Sequence, residues 1–263
     1  MRTSLLLAAL LSCSVSLHAD LIDPLTSAPV ILIPVAGDAA GANGTYFRSD
    51  ISVINFRDAD QVVQFRWLPE GHSGDSSGVR TITIPARSGL TSEDFVRNTL
   101  GQTGIGAIEI IGMSGQNADP NARLHATARI WTPQPNGAAG TFSQTFPATV
   151  PTSAAMAPVK WIFGVRRDTR YRLNVGVANP SPVTQSFRVT VASAIAGTPP
   201  DVVDMIVPAL SVDQTVIAGT GAIAQIIVQR TTGGPDVVWQ SWASSVDNAT
   251  GDAWSQMAFP AAP

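Results

Sequence analysis

Apolar and polar residues alternate with a period of two along most of the chain. In Phe47-Arg48-Ser49-Asp50-Ile51-Ser52-Val53, positions 47, 51 and 53 fall on one face and Arg48 and Asp50 on the other, the pattern of a strand with one buried face. Tyr171, Leu173, Val175 and Val177 repeat it, with Arg172 and Asn174 outward. The same alternation predicts strands near residues 30–34, 62–68, 79–84, 107–113 and 124–132. A second set is expected near 161–165, 186–194, 202–207, 222–229 and 237–246. A helical period is scarce. Residues 91–100, opening on Thr91-Ser92-Glu93-Asp94, predict at most two turns, and their counterpart at 211–217 is richer in β-branched residues.

The two sets of strands are copies of one pattern. Residues 47–67 lie over 171–191 without a gap, at an offset of 171 − 47 = 124. Arg48 falls on Arg172, Val53 on Val177, Asn55 on Asn179 and Gln61 on Gln185, while Asp50 meets Asn174. Phe142-Ser143-Gln144-Thr145-Phe146-Pro147 and Trp254-Ser255-Gln256-Met257-Ala258-Phe259-Pro260 close the copies, with one residue inserted in the second. The intervening turns use Asn, Pro and Gly, which bond their own backbone or cannot continue a ladder.

Six or seven short strands per copy, with frequent turns, predict an all-β chain of two tandem immunoglobulin-like antiparallel β-sandwich modules, 20–148 and 149–263. The Pro-, Ala-, Thr- and Ser-rich stretch 147–158 reads as the linker. Residues 1–19 have the form of a signal peptide: Arg2, an apolar run at 5–11, and Ala19 at the cut. That run is too short to anchor in a bilayer, and no later stretch replaces it. The expected address is therefore secreted, periplasmic or cell surface. Cys13, the single cysteine, lies inside the leader. Leu10-Leu11-Ser12-Cys13 loosely matches a lipoprotein acylation site, Leu11 being the poor fit, so lipid anchoring through Cys13 is the alternative to removal with the leader. A chain cut at Ala19 has no thiol for a disulfide, a metal or a nucleophile.

Charge adds little. Sixteen basic residues face 19 acidic ones, and neither sign is clustered, which argues against nucleic acid as a partner. Four constellations are candidates for chemistry. Asp38, Asn43 and Asp50 flank the Gly-rich segment 37–44 and could offer oxygen ligands to Ca²⁺, although these residue types are also ordinary turn formers. Trp131 and Trp242 are expected on outward faces, either as stacking platforms for a ligand or as packing against the neighbouring module. Arg48 and Arg172 recur on equivalent strands, either as a duplicated binding site or as hydrogen-bonding parts of the scaffold. Hydrolysis has thin support. The Gly-Asp-Ser-Ser-Gly run at 74–78 is an inexact protease motif, and of the three glutamates Glu109 alternates with Ile108 and Ile110, which points it to a solvated face.

The segments Phe47–Asn55 and Tyr171–Pro180, with Ser245-Val246-Asp247-Asn248-Ala249-Thr250-Gly251-Asp252, resemble secreted or cell-surface proteins of environmental bacteria built from tandem β-sandwich repeats. The resemblance implies location and modular architecture and carries no catalytic residue with it. The first copy departs from it, with Thr132-Pro133-Gln134-Pro135 at the last motif. The reading is a non-enzymatic extracellular protein acting in attachment, assembly or ligand binding, with a surface polymer, glycan or protein as partner. The alternatives are a carbohydrate-binding module with Trp131 and Trp242 as its platform, and a hydrolase with an aspartate-based site.

Overall fold

The computed structural model describes residues 27–74, 78–134, 137–150, 156–219, 221–232 and 237–261. Residues 1–19, read above as a leader, with Cys13, and residues 75–77 of the Gly/Ser stretch, lie outside the described residues. In chain order the strands are β1 (Val30–Ala40), β2 (Tyr46–Asn55), β3 (Gln61–Pro69), β4 (Val79–Ile84), β5 (Ser88–Ser92), β6 (Gly104–Ser114), the two-residue β7 (Asn117–Ala118), β8 (Leu124–Pro133) and β9 (Thr141–Pro147). There follow β10 (Val159–Ile162), β11 (Tyr171–Asn179), β12 (Gln185–Ser193), β13 (Asp201–Val207), β14 (Ser211–Ile217), β15 (Ile223–Arg230), β16 (Gln240–Asp247), β17 (Ala253–Met257) and the two-residue β18 (Phe259–Pro260). Every strand pair is antiparallel.

Pairing follows one plan twice. In residues 30–147, β4-β3-β6-β1 run side by side and β5-β2-β8-β9 form the layer opposite, with β1 crossing from one to the other at Ala39 and Ala40. In residues 159–260, β13-β12-β15-β10 and β14-β11-β16-β17 take the same orders, and β18 extends the first of them. Each pair of layers closes on its own core. Ile31, Ile33, Phe65 and Ile110 meet Ile51, Val53 and Ala126 in the first, and Phe187, Val189 and Val228 meet Leu173, Val175 and Trp239 in the second. These are the inward positions of the period-two pattern, because successive strand residues point to opposite faces. Pro34 has no N–H for the ladder, and the β1–β6 register shifts between Ile33 and Ala36 to accommodate it.

Helix is as scarce as the pattern predicts. Residues 91–100 hold only a single helical turn, α1 (Phe95–Asn98), preceded by strand β5. Ser88 to Ser92 alternate and pair with β2 from Asn55 to Ile51, after which Asp94, at φ 46°, turns the chain and lets Phe95 and Val96 drop into the core. The counterpart at 211–217 is strand β14 throughout. The repeated closing segments are strands as well, β9 and β17, one at the edge of each layer.

The recurrent Asn explains why the copies match here. Asn55 and Asn179 are both fully buried, and the two N–H groups of each Nδ2 are shared among three backbone carbonyls. Asn55 reaches Ala59 (2.9 Å), Ile84 (3.2 Å) and Pro85 (3.1 Å), and Asn179 reaches Val183 (2.9 Å), Val207 (3.2 Å) and Pro208 (2.8 Å). The Oδ1 of each accepts from the amide two residues on, Arg57 or Ser181. One side chain thus closes the turn after its own strand and ties that strand to the end of a strand in the facing layer. Asn55→Ala or Asn179→Ala should each lower the unfolding free energy by about 3 kcal/mol, since buried carbonyls lose their donor. Equilibrium denaturation of the two variants is the check.

The second core contains the chain's only lysine. Lys160 lies against Val228, the place that Ile31 takes against Ile110 in the first half. It is 1% exposed, its Nζ donates to the Trp239 carbonyl and to Gln240 Oε1 (3.2 Å), and it sits 4.2 Å from the centre of the Trp239 ring. Burial, with a smaller contribution from Arg230, lowers its pKa to about 7. The folded protein therefore releases this proton near pH 7, whereas the unfolded chain holds it to the ordinary lysine range. The cost of the buried charge is fully present below pH 7 and is relieved as pH rises toward 10. Stability should climb across that window by up to about 1.4 kcal/mol per pH unit, and Lys160→Met should flatten the climb in urea melts.

Candidate functional site

In the layer β14-β11-β16-β17, strand β16 is covered on both faces. Along β16, Ala243 faces its own core, while Trp242, Ser244 and Val246 point the other way, and all eight residues of the strand are buried. What covers the outer face is the end of the first half. Leu32, Val35, Leu68, Ala107, Ile130 and Phe146 pack with Ala178, Val212 and Trp242 in a third apolar cluster drawn from both halves. The Phe146 and Trp242 rings meet edge to face at 6.4 Å. Trp242 lies flat over Gly176, where a Cβ would stand 2.2 Å from the indole, so glycine at 176 is what lets the ring down. Trp242 is thus outward with respect to its own sandwich, as the alternation predicts, but at 2% exposure it is no platform for a ligand from solvent. The other half is its partner.

Polar groups fasten the same junction. Gly71 N donates to Val212 O at 2.9 Å, Gly74 N to Leu210 O at 3.1 Å, and the Ser244 hydroxyl to Gln144 Oε1. Glu70 forms a single parallel bridge with Val212, and burial raises the pKa of its carboxyl; a hydrogen bond with Gln214 opposes the rise and the nearby Asp213 adds to it.

Beside the third cluster the halves leave a cleft of about 180 Å³. β1 from Val35 to Gly41, with Phe47, Ile105, Ile130 and Phe146, makes one wall. The outward face of the second half makes the other: Arg172, Asn174, Gln214, Trp242, Ser244 and Val246. Arg172 is the one charged residue in this lining. Its Nη1 donates to Asn248 Oδ1 at 3.2 Å, and among the described residues no carboxylate lies within ion-pair distance of it. Burial alone lowers its pKa.

Its counterpart Arg48 is differently placed. Arg48 Nε is 3.5 Å from Asp94 Oδ2, and the guanidinium lies over the rings of Tyr46 (5.1 Å) and Trp131 (5.3 Å). Trp131 is partly covered, and its Nε1 donates to Asp50 Oδ1 at 2.8 Å. Arg129 reaches Asp50 Oδ2 at 3.2 Å, and Arg97 reaches Asp38 Oδ2 at 2.7 Å. Asp38, Asp50 and Asp94 thus share one network with Arg48, Arg97 and Arg129, three charges against three. The residues considered for Ca²⁺ are therefore already matched by guanidinium groups at Asp38 and Asp50. The Asn43 side chain lies outside the described residues. Among the described residues no group of three or more His, Cys, Asp or Glu is arranged to hold a metal ion. Asp38 Oδ1 and Asp94 Oδ1 are buried without a hydrogen bond, and burial, then the neighbouring Asp38, raises the pKa of Asp94.

Glu109 differs from its expected solvated position. Its side chain is 14% exposed and pairs with Arg66 at 3.0 Å, because the face of β6 that carries it is largely covered; burial raises its pKa and Arg66 offsets the rise. A platform of exposed aromatics does occur elsewhere. Trp161, Phe163 and Phe259 are 43%, 55% and 51% exposed, Trp161 and Phe259 are register partners, and the Phe163 and Phe259 rings stack at 5.7 Å and 23°.

The structure therefore brings Arg172 and Trp242 to one cleft and Arg48, Asp50 and Trp131 to another place, with Asp38 joined to the latter. Gln144, Phe146, Gln214 and Ser244 were not anticipated. The signal for the last was present in Gln240-Ser241-Trp242-Ala243-Ser244-Ser245-Val246, a strand with no charge on either face, as strands covered on both sides have. No protein-family model matches the chain, and no curated protein matches it in sequence. Among the described residues no helix is long and apolar enough to cross a membrane. Gly176→Ala should displace the Trp242 ring and cost about 1–3 kcal/mol of stability, measured by denaturant unfolding, whereas alanine at the open Gly197, itself at φ 79°, should cost only its backbone strain.

Proposed function

We propose that the chain is a non-enzymatic extracellular or cell-surface binding protein of two immunoglobulin-like sandwich modules, 20–148 and 149–263, exported by the leader 1–19, and that it acts in attachment, assembly or ligand binding through the cleft between the modules. The modular part of this reading rests on the pairing plan used twice, the two separate cores and the two Asn side chains with the same hydrogen bonds. The binding part rests on one observation. A cleft of about 180 Å³ lies between the halves, lined by apolar groups, amides, a hydroxyl and one arginine. Ligand sites are commonly formed where modules meet and combine an apolar wall with a few placed polar groups. A library of small organic molecules should contain members that raise the thermal midpoint of the wild type and leave Ser244→Phe, whose ring fills the cleft, unmoved. If none does so at millimolar concentration, the cleft is not a ligand site.

The stacked Phe163 and Phe259 beside Trp161 favour a second reading, a glycan platform on the outer face of β10 and β18, since aromatic rings stack on the apolar faces of sugars. Trp161→Ala should then abolish retention on polysaccharide gels. Equal mobility of wild type and variant on every polysaccharide tried would remove this reading.

A further inference from the structure

From the geometry of the same cleft, and resting on the reading that it binds a ligand, we infer that its ligand is a small organic carboxylate, with the apolar body against Phe47, Ile105 and the edge of Trp242 that lines the cleft and the carboxylate on Arg172. The position of Arg172 carries the argument. In the first half the equivalent arginine is matched by Asp94, with Asp50 two residues along its own strand. In the second half residue 174 is asparagine, and among the described residues Arg172 donates only to the side-chain oxygen Oδ1 of Asn248. A guanidinium has five N–H donors in a planar fork and stays charged, so with one neutral acceptor in the protein Arg172 leaves most of its donors to the solvent of the cleft, where a ligand can take them. The group that best fits the fork is a carboxylate, taken up through two parallel hydrogen bonds.

Charge and size narrow the class. With Arg172 as the only charged residue of the lining, the cleft matches one negative charge; a phosphate dianion would bring a second with nothing to meet it. The rest of the lining is dominated by apolar side chains, so the anion should carry an apolar body. The volume of about 180 Å³ is close to that of an apolar cavity of about 150 Å³ known to take benzene, which suits one ring or a short chain with its carboxylate. Asn174, two residues from Arg172 on the same face of β11 and opposite Ser244 on β16, adds an amide to the lining that can donate to a carboxylate oxygen, while the Ser244 proton is already given to Gln144.

The test is a matched series on the full mature chain, with benzoate and phenylacetate, their neutral amides, and benzylamine, titrated while the indole N–H signals are followed by NMR, that of Trp242 assigned through Trp242→Phe. The expected result is movement of the Trp242 signal by the acids, with affinity about tenfold above that of the amides and no response to benzylamine. Arg172→Gln should erase the preference for the acid, and Arg172→Lys should retain part of it; because both variants remove the native side chain, a loss confined to the former is an effect of charge and not of folding. If amides bind as well as acids and move the Trp242 signal, the cleft remains a ligand site and the carboxylate assignment is overturned. If no member of the series moves that signal, the assignment fails, and the library screen on the wild type and Ser244→Phe decides separately whether the cleft binds anything. If the preference for acids persists in Arg172→Gln, Arg172 is not the anion's partner and the inference falls.

Discussion

A buried carboxamide at the same corner of each half organises this protein. Asn55 and Asn179 stand at the ends of β2 and β11, and each is bonded to three backbone carbonyls, one in the turn after its own strand and two at the end of a strand opposite. Two of the three belong to the end of a strand in the opposite layer, so one side chain sets the distance between layers and the path of the turn. Without such a donor the corner would have to open to water, and the inward faces of β2 and β11 would lose their cover. The repeat is most faithful around this point because few side chains can satisfy so many backbone groups in so little space.

Fidelity at the corners leaves the outer faces at liberty to differ, and there the halves part. The first half meets an outward arginine with carboxylates and covers it with Trp131 and Tyr46. The second places glycine at 176, tryptophan at 242 and asparagine at 174 on the corresponding surface, which makes it flat, apolar and weakly positive. A surface of that kind needs a cover, and the end of the first half supplies it through Phe146, Leu32 and Val35. The cover is incomplete, and the gap is the cleft. The cleft is therefore a product of difference between copies: neither half has it alone, and although Arg172 has its counterpart in Arg48, Asn174, Gly176 and Trp242 stand where the first copy has Asp50, Ser52 and Thr127.

The strands were legible because their chemistry is local. Alternation at 47–53 and 171–177 reports a buried face directly, and the observed β3, β4, β6, β8, β12, β13, β15 and β16 lie within a few residues of the expected segments. At 91–100 the pattern Thr91-Ser92-Glu93-Asp94 set only an upper bound of two helical turns, because it is also compatible with a strand that ends in a left-handed turn, and pairing with β2 fixes where the strand gives way to the single turn. Glu109 was misread as solvated. Alternation tells which face a residue is on and cannot tell whether that face meets water.

By itself the amino-acid sequence determined that the chain is all-β, where its strands and turns fall, and that one pattern occurs twice, since these follow from residue-to-residue periodicity and turn chemistry. It also placed Trp242 and Arg172 on outward positions. Only the tertiary structure decided that outward for Trp242 means buried against the other half, that Asp38 and Asp50 are matched by arginines, and that Arg172 is left beside a cleft with no carboxylate among the described residues to meet it. Those outcomes depend on which surface packs on which across more than a hundred residues of chain, and the free energy of that packing is not encoded in any local period.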